Sequence, residues 1–236
     1  MFEAGTSGGI RIEGVTLVRG HRRVFEGLAL NLQESRIGLI GDNGAGKSSL
    51  FRLISGLDQP QQGRVVAPGR ESPGRVGLMF QNPDDQIIFP TVAEELAFSL
   101  TAIGETRPAA RQRALDFLAR RGLAAWAGRA VGELSQGQRQ QVCLLALEIS
   151  EPVTLLLDEP FASLDLPSQA RLAAQLDASA QQIIVSTHLL EHVHGFERVL
   201  WLDEGRVRAD GPGREVCEAY AGYVRERVWA DRDRDA

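Results

Sequence analysis

The sequence predicts an α/β fold, a mostly parallel and doubly wound sheet with an antiparallel β edge and a helical insertion. Three observations carry this expectation. A glycine-rich segment, Gly41 to Ser48, joins a short apolar run to a helix pattern. Apolar strand runs alternate with helical stretches through the last third, which is the order of a parallel sheet. Aliphatic and small residues dominate the apolar share while aromatics are only 6%, as suits a buried sheet covered by helices.

Taken in chain order, Arg11 to Val18 and Leu28 to Leu32 read as strands near the sheet edge. Arg36 to Ile40 is a short buried strand ending at glycine, and Lys47 to Ser55 is a helix closed by Gly56. A strand at Arg75 to Phe80 runs into the turn cluster Asn82-Pro83-Asp84-Asp85. The pattern then becomes helical over Thr91 to Leu100, Arg107 to Gly122 and Ser135 to Ile149. Strands return at Val153 to Leu157, Ile183 to Ser186 and Val199 to Leu202, separated by helical stretches near Pro167 to Ala178 and Leu189 to Gly195. The expected layout is a single domain, with a core over 10–84 and 153–211, a helical subdomain over about 85–152 and a terminal helix over about 212–228. Residues 1–9 and 231–236 are expected to be solvated ends without chemistry.

Composition narrows function. A net charge of −5 with interspersed signs gives no basic face, so nucleic acid is not an expected partner. Cys143 and Cys217 lie in helical patterns without a CxxC or Cys/His cluster, so buried thiols are expected, in a reducing cytosol. No apolar run approaches the roughly 18 residues that span a bilayer, and no basic-then-apolar leader opens the chain.

Gly41-Asp42-Asn43-Gly44-Ala45-Gly46-Lys47-Ser48 matches GxxxxGK[ST] between a strand and a helix, where a phosphate loop has to sit. Its glycines let backbone N–H groups approach phosphate oxygens, and the helix that follows points its positive dipole end at them. Lys47 is expected to bridge the β- and γ-phosphates, Ser48 to reach Mg²⁺, and Ser49 to belong to the same nucleotide site. The plain alternative is a glycine-rich turn with a solvated lysine. Among 26 lysines and arginines, however, Lys47 is the only lysine. A planar guanidinium cannot replace a compact ammonium under a phosphate loop, whereas a solvated lysine has no such protection.

The apolar run Val153 to Leu157 ends in Asp158 and Glu159. Ligands gather beyond the carboxyl ends of parallel strands, so this pair and the phosphate loop are expected to meet at one edge. Asp158 would hold Mg²⁺ directly or through water, and Glu159 would orient or deprotonate the attacking water. Alone, the pair could equally be surface acids after a strand.

Leu134-Ser135-Gln136-Gly137-Gln138 before a helix closely resembles the LSGGQ signature of ABC ATPases. In the same order, Gln81 resembles their Q-loop glutamine, Ser163-Leu164-Asp165 their D-loop and His188 their switch histidine. The resemblance covers about residues 11 to 211 and implies a P-loop NTPase (RecA-like) core with a helical ABC subdomain. It also implies that ATP and Mg²⁺ are sandwiched between the phosphate loop of one subunit and Ser135, Gly137 and Gln138 of a second, homodimeric or paralogous. Gln81 would contact the metal or the water, His188 the γ-phosphate or the water, and Asp165 would serve the nucleotide site. There are two departures. Arg19 stands where the family has an aromatic residue against adenine, so its guanidinium plane would stack on the base. Gln136 replaces the third residue of the signature, keeping its backbone N–H.

The stretch Gln81 to Val92, with Glu94-Glu95-Leu96-Ala97-Phe98 after it, resembles the Q-loop region of energy-coupling-factor (ECF) transporter ATPases. That resemblance implies a transmembrane coupling protein docked at the Q-loop region, a substrate-binding membrane protein in the same complex, and a peripheral position on the cytoplasmic face of the bacterial membrane. It also implies import of a micronutrient, with the compact chain resembling biotin-uptake members more than cobalt or nickel ones. Ile87, Ile88 and Phe89 would form an apolar patch for that partner or, alternatively, core under the loop. Two other readings are a soluble ABC ATPase of DNA repair or translation, and a regulatory module that binds nucleotide without hydrolysis. The first lacks its usual coiled-coil insertion or basic arms here, and the second is disfavoured by the presence of Glu159 and His188.

Overall fold

The computed structural model describes residues 9–68 and 75–232; of the expected solvated ends at 1–9 and 231–236, residues 1–8 and 233–236 lie outside the described residues, whereas 231 and 232 belong to the terminal helix. Among the described residues nine strands and six α-helices follow in chain order. They are β1 (Ile10–Arg19), β2 (Arg22–Leu32), β3 (Arg36–Ile40), α1 (Lys47–Ser55), β4 (Gln62–Val66) and β5 (Val76–Met79). The helices α2 (Val92–Ala102), α3 (Arg107–Arg120) and α4 (Gln136–Glu148) come next, then β6 (Thr154–Asp158), α5 (Leu166–Asp177) and β7 (Gln182–Ser186). The chain closes with β8 (Arg198–Asp203), β9 (Arg206–Gly211) and α6 (Gly213–Arg232).

A six-stranded sheet runs β5-β6-β7-β3-β8-β9, and an antiparallel three-stranded sheet runs β2-β1-β4. In the larger sheet every pairing is parallel except β8 with β9. The parallel strands β3 and β6 are buried along nearly their whole length, which is why they read as continuous apolar runs. Because β5, β6, β7 and β3 are neighbours in one direction, the residues after them, Gln81, Asp158-Glu159, His188 and the phosphate loop, emerge at the same edge.

Three apolar clusters hold the chain together. One joins the small sheet to α1 and one face of the large sheet, around Phe25, Phe51 and Leu53. A second covers the opposite face with α5 and α6, around Phe161, Trp201 and Cys217. The third is built wholly from residues 92–149, where Val92, Leu96, Leu100, Ala110, Ala114 and Leu118 interlock with Val142 and Leu145. The helical segment therefore has a core of its own.

Several elements differ from the sequence expectation. β2 begins six residues before Leu28, since Arg22, Arg23 and the Glu26-Gly27 break hide its strand alternation. β4 and β9 were not expected at all: one is mostly exposed and the other alternates between exposed and half-buried, so neither offers an apolar run. The helix expected over Leu189 to Gly195 is only a 3₁₀ turn, Leu190–His192. Val193, with none of its surface exposed, packs against the bare backbone of Gly38 in β3, and this insertion ends the turn. Cys143 and Cys217 are free and buried, and burial pushes their thiols up to about 12 and about 11, away from thiolate chemistry.

Candidate functional site

Lys47 opens α1 directly after Gly46, whose φ of 112° needs glycine, since a Cβ there would meet the Phe25 ring at 2.9 Å. Lys47 is only 9% exposed, and its ammonium folds back on its own loop, donating to the Gly41 carbonyl at 2.6 Å and the Asp42 carbonyl at 3.2 Å. Burial lowers its pKa, opposed by Glu159, Asp158 and Asp42, so three carboxylates and the loop carbonyls hold a charge that burial disfavours.

The loop is braced from outside. Arg22 Nη2 donates to the Gly44 carbonyl at 3.0 Å, and the Gly205 N–H in the β8–β9 turn donates to the Ala45 carbonyl at 3.0 Å. Gly205 has φ 77°, and a Cβ there would lie 1.8 Å from the Val24 carbonyl oxygen. Gly205→Ala is therefore expected to cost about 2 kcal/mol or more of stability, from left-handed strain and the displaced turn. Urea unfolding checks this, and a loss below about 0.5 kcal/mol would show that the turn relaxes freely.

Asp158 ends β6 with its Oδ1 accepting from Ser186 Oγ at 2.6 Å across the sheet. Glu159 follows in the left-handed region, φ 52°, a conformation that costs a non-glycine residue and is found where a side chain must be aimed. Its N–H donates to the Ser186 carbonyl at 2.9 Å, and its Oε2 lies 2.8 Å from His188 Nδ1. A carboxylate only accepts, so the imidazole proton sits on Nδ1, leaving Nε2 an acceptor in the neutral ring. The Glu159 side chain is 10% exposed and that of His188 62%.

Lys47, Asp158 and Glu159 share a cleft of about 340 Å³ with Arg19, Arg22, Val24, Asn43, Gly44, Gly46, Ser48, Ser49 and Gln81, and His188 is not among the residues lining it. Gln81 is exposed at the end of β5. Arg19, expected to lie flat on a base, is instead ion-paired with Asp58, which Arg52 also contacts. The guanidinium borders the cleft but is oriented by that carboxylate. Arg22 and Val24 were missed because β2 was read as starting later, and no sequence signal ties Arg22 to a carbonyl 22 residues on.

Ser135, Gly137, Gln138 and Asp165 line a different cleft, of about 650 Å³. Ser135 caps α4 in a reciprocal box: its Oγ accepts from the Gln138 N–H at 3.3 Å, and Gln138 Oε1 accepts from the Ser135 N–H at 3.0 Å. Asp165 caps α5, accepting from the Ser168 N–H at 2.9 Å, and the Ser168 hydroxyl first, then that N–H, holds its carboxyl below the usual range. One chain thus keeps the signature and the phosphate loop in separate clefts. Gln140 spans the region between them from inside, its Nε2 donating to the Pro160 carbonyl at 2.6 Å behind Glu159.

Of the expected apolar patch, only Ile88 is well exposed, at 69%. Ile87 is half-buried between the second and third clusters, and Phe89 packs on Phe98 with ring centroids 4.9 Å apart. Ile87 and Phe89 are thus partly core under the loop, and Ile88 alone of the three stands clear of it.

The ABC transporter family model matches residues 25–162, more than half of the chain and the span from the phosphate loop through Asp158. The chain belongs to the ABC transporter family. A biotin transport ATP-binding protein of Rhodobacter capsulatus is 49% identical over 89% of this chain and 93% of its own length. An energy-coupling factor transporter ATP-binding protein of Methanoculleus marisnigri is 34% identical over 85% of this chain and 77% of its own. A solved structure from Clostridium perfringens, part of the ABC transporter complex cbiONQ, superposes with a TM-score of 0.75 at 25% identity, covering 93% and 94% of the two chains. This ABC protein is an ATPase by family, and no helix among its described residues is long and apolar enough to cross a membrane.

Proposed function

We propose that this ABC protein is the ATP-hydrolysing subunit of an ECF-type importer of a micronutrient, biotin before cobalt, nickel or another vitamin. The observation that supports this most is the joining of Lys47, Asp158, Glu159 and His188 at one sheet edge in a chain 49% identical to a biotin transport ATP-binding protein.

Nucleotide enters by exchange. Lys47 gives up its bonds to the Gly41 and Asp42 carbonyls for phosphate oxygens, and the backbone N–H groups of Asn43 to Ser49 take the remaining oxygens at the start of α1. The donor set fits Mg²⁺: the Ser48 hydroxyl, the Asp158 carboxylate steadied by Ser186 and the Gln81 amide oxygen are hard oxygen ligands bordering one cleft. Among the described residues no group of three or more His, Cys, Asp or Glu forms a closed cage, and magnesium at phosphates uses one or two carboxylates with water. When bound, the ion offsets charge on the phosphate oxygens. Glu159 takes the proton from the attacking water, and His188, held by Glu159, presents its ring toward the γ-phosphate side.

The separation of the Ser135 cleft from the Lys47 cleft supports a composite site. In this reading Ser135, Gly137, Gln138 and Asp165 of a second copy or paralogue complete each nucleotide site on closure. The shallow groove lined by Asp84, Ile87, Ile88, Phe89, Pro90, Val131 and Arg139 is the proposed seat of a transmembrane coupling protein, with a substrate-binding membrane protein beside it. In this reading the chain sits on the cytoplasmic face of the bacterial membrane.

The test is reconstitution. The chain is expected to co-purify with the membrane proteins encoded beside it, and vesicles holding that complex should accumulate labelled biotin only with ATP and magnesium. Uptake of nickel or cobalt instead would move the solute assignment, and uptake unaffected by omitting this chain would remove it from the transporter.

A further inference from the structure

The first acidic residue of the phosphate loop is a liability that the terminal helix removes. Asp42 follows Gly41 directly, and its backbone carbonyl accepts from Lys47 Nζ at 3.2 Å and from the Ala45 N–H at 3.1 Å. The Asp42 carboxylate acts through space on the Lys47 charge that must receive phosphate, and so competes with phosphate for that cation. Both of its oxygens are occupied. The Tyr220 hydroxyl donates to Oδ1 at 2.8 Å, and Arg227 Nη1 donates to Oδ2 at 2.6 Å. The Tyr220 bond first, then Arg227, holds the carboxyl below its usual range, and burial with the Asp42 bond pushes the phenol up.

Tyr220, Tyr223 and Arg227 fall at i, i+3 and i+7, one face of α6. That face is fixed to the sheet by aromatic packing rather than by the loop it serves. Trp201 of β8 contacts the Tyr220 ring at 5.2 Å and the Tyr223 ring at 5.0 Å between centroids. The Arg208 guanidinium of β9 lies 3.9 Å over Tyr223 and 4.5 Å over Trp201. Val216 and Cys217 bury the first turns of the helix in the second cluster. The helix is therefore a rigid mount, and its hydroxyl and guanidinium are presented to Asp42 from a fixed base.

We infer that Tyr220 and Arg227 are positioning residues for nucleotide binding: they clamp and neutralise Asp42 so that Lys47 and the loop N–H groups are left to the phosphates. The clamp deepens the ATPase reading of this site and rests on it.

The test uses the full chain and a fluorescent ADP analogue, with steady-state ATPase kinetics beside it. Arg227→Ala with Tyr220→Phe is expected to raise the nucleotide Kd and the KM for ATP about tenfold, with kcat within about twofold, because ground-state binding is what suffers. Tyr220→Phe alone keeps the ring on Trp201 and is expected to raise Kd about threefold, which preserves the test if the double variant folds poorly. Asp42→Asn added to the double variant removes the freed charge and is expected to bring Kd back to within about threefold of wild type. Unchanged Kd in both the single and double variants overturns the clamp. So does weakened binding that Asp42→Asn fails to restore, which would make α6 a structural support only. A wild-type chain that binds no nucleotide fails the ATPase reading itself and takes the clamp with it.

Discussion

Glu159→Gln is expected to slow ATP turnover by about a hundredfold or more while leaving ATP affinity within a fewfold of wild type. The amide keeps the size of the side chain and its left-handed backbone, so the cleft is preserved. It loses the capacity to take a proton from water. It also loses the charge facing His188 Nδ1 at 2.8 Å, although the amide oxygen can still accept from that nitrogen. Because hydrolysis is what would open a composite site, the same variant with ATP and magnesium is expected to accumulate as a dimer in light scattering, with nucleotide-free protein monomeric. Turnover within about threefold of wild type would remove Glu159 as the base. A dimer equally tight without nucleotide would remove nucleotide-driven closure.

Lys47→Arg is the second large effect. The charge is kept, so a purely electrostatic role predicts little change. The site is not purely electrostatic: Lys47 is 9% exposed and its ammonium sits 2.6 Å from the Gly41 carbonyl inside a turn that Gly46 closes against Phe25. A guanidinium is larger and planar, and overpacking of this kind costs about 1–3 kcal/mol. Nucleotide affinity is expected to fall at least about tenfold, read by fluorescent-nucleotide titration, with urea unfolding showing whether the loop also loses stability. An affinity within about threefold of wild type would mean that the absence of every other lysine carries no information about this position.

The parallel sheet and the three-helix insertion were legible because both leave periodic apolar patterns: β3 and β6 as buried runs, α2 and α3 as helical stripes. The edge strands β4 and β9 were illegible because partnered edges need no apolar run, only a neighbour's backbone. Within the candidate site, Asp158 and Glu159 could be read from their place after an apolar strand and Gln81 and His188 from the resemblance of their motifs, and the strand order brings all four to one edge. The bracing could not. Arg22 on Gly44, Gly205 on Ala45 and Tyr220 with Arg227 on Asp42 are contacts across 22 to 185 residues, made by ordinary polar side chains and one backbone N–H. Arg19 was found at the right cleft with the wrong expectation, because Asp58, 39 residues away, takes its guanidinium.

Gln140 sits on α4, one turn beyond the Ser135 cap, and grips the Pro160 carbonyl next to Glu159. In the proposed pair of subunits, a chain lends its Ser135 to its partner's nucleotide while its Glu159 works on its own. The two ends of this one hydrogen bond therefore answer to different ATP molecules in that pair. The two hydrolysis events in a transport cycle then need not be statistically independent.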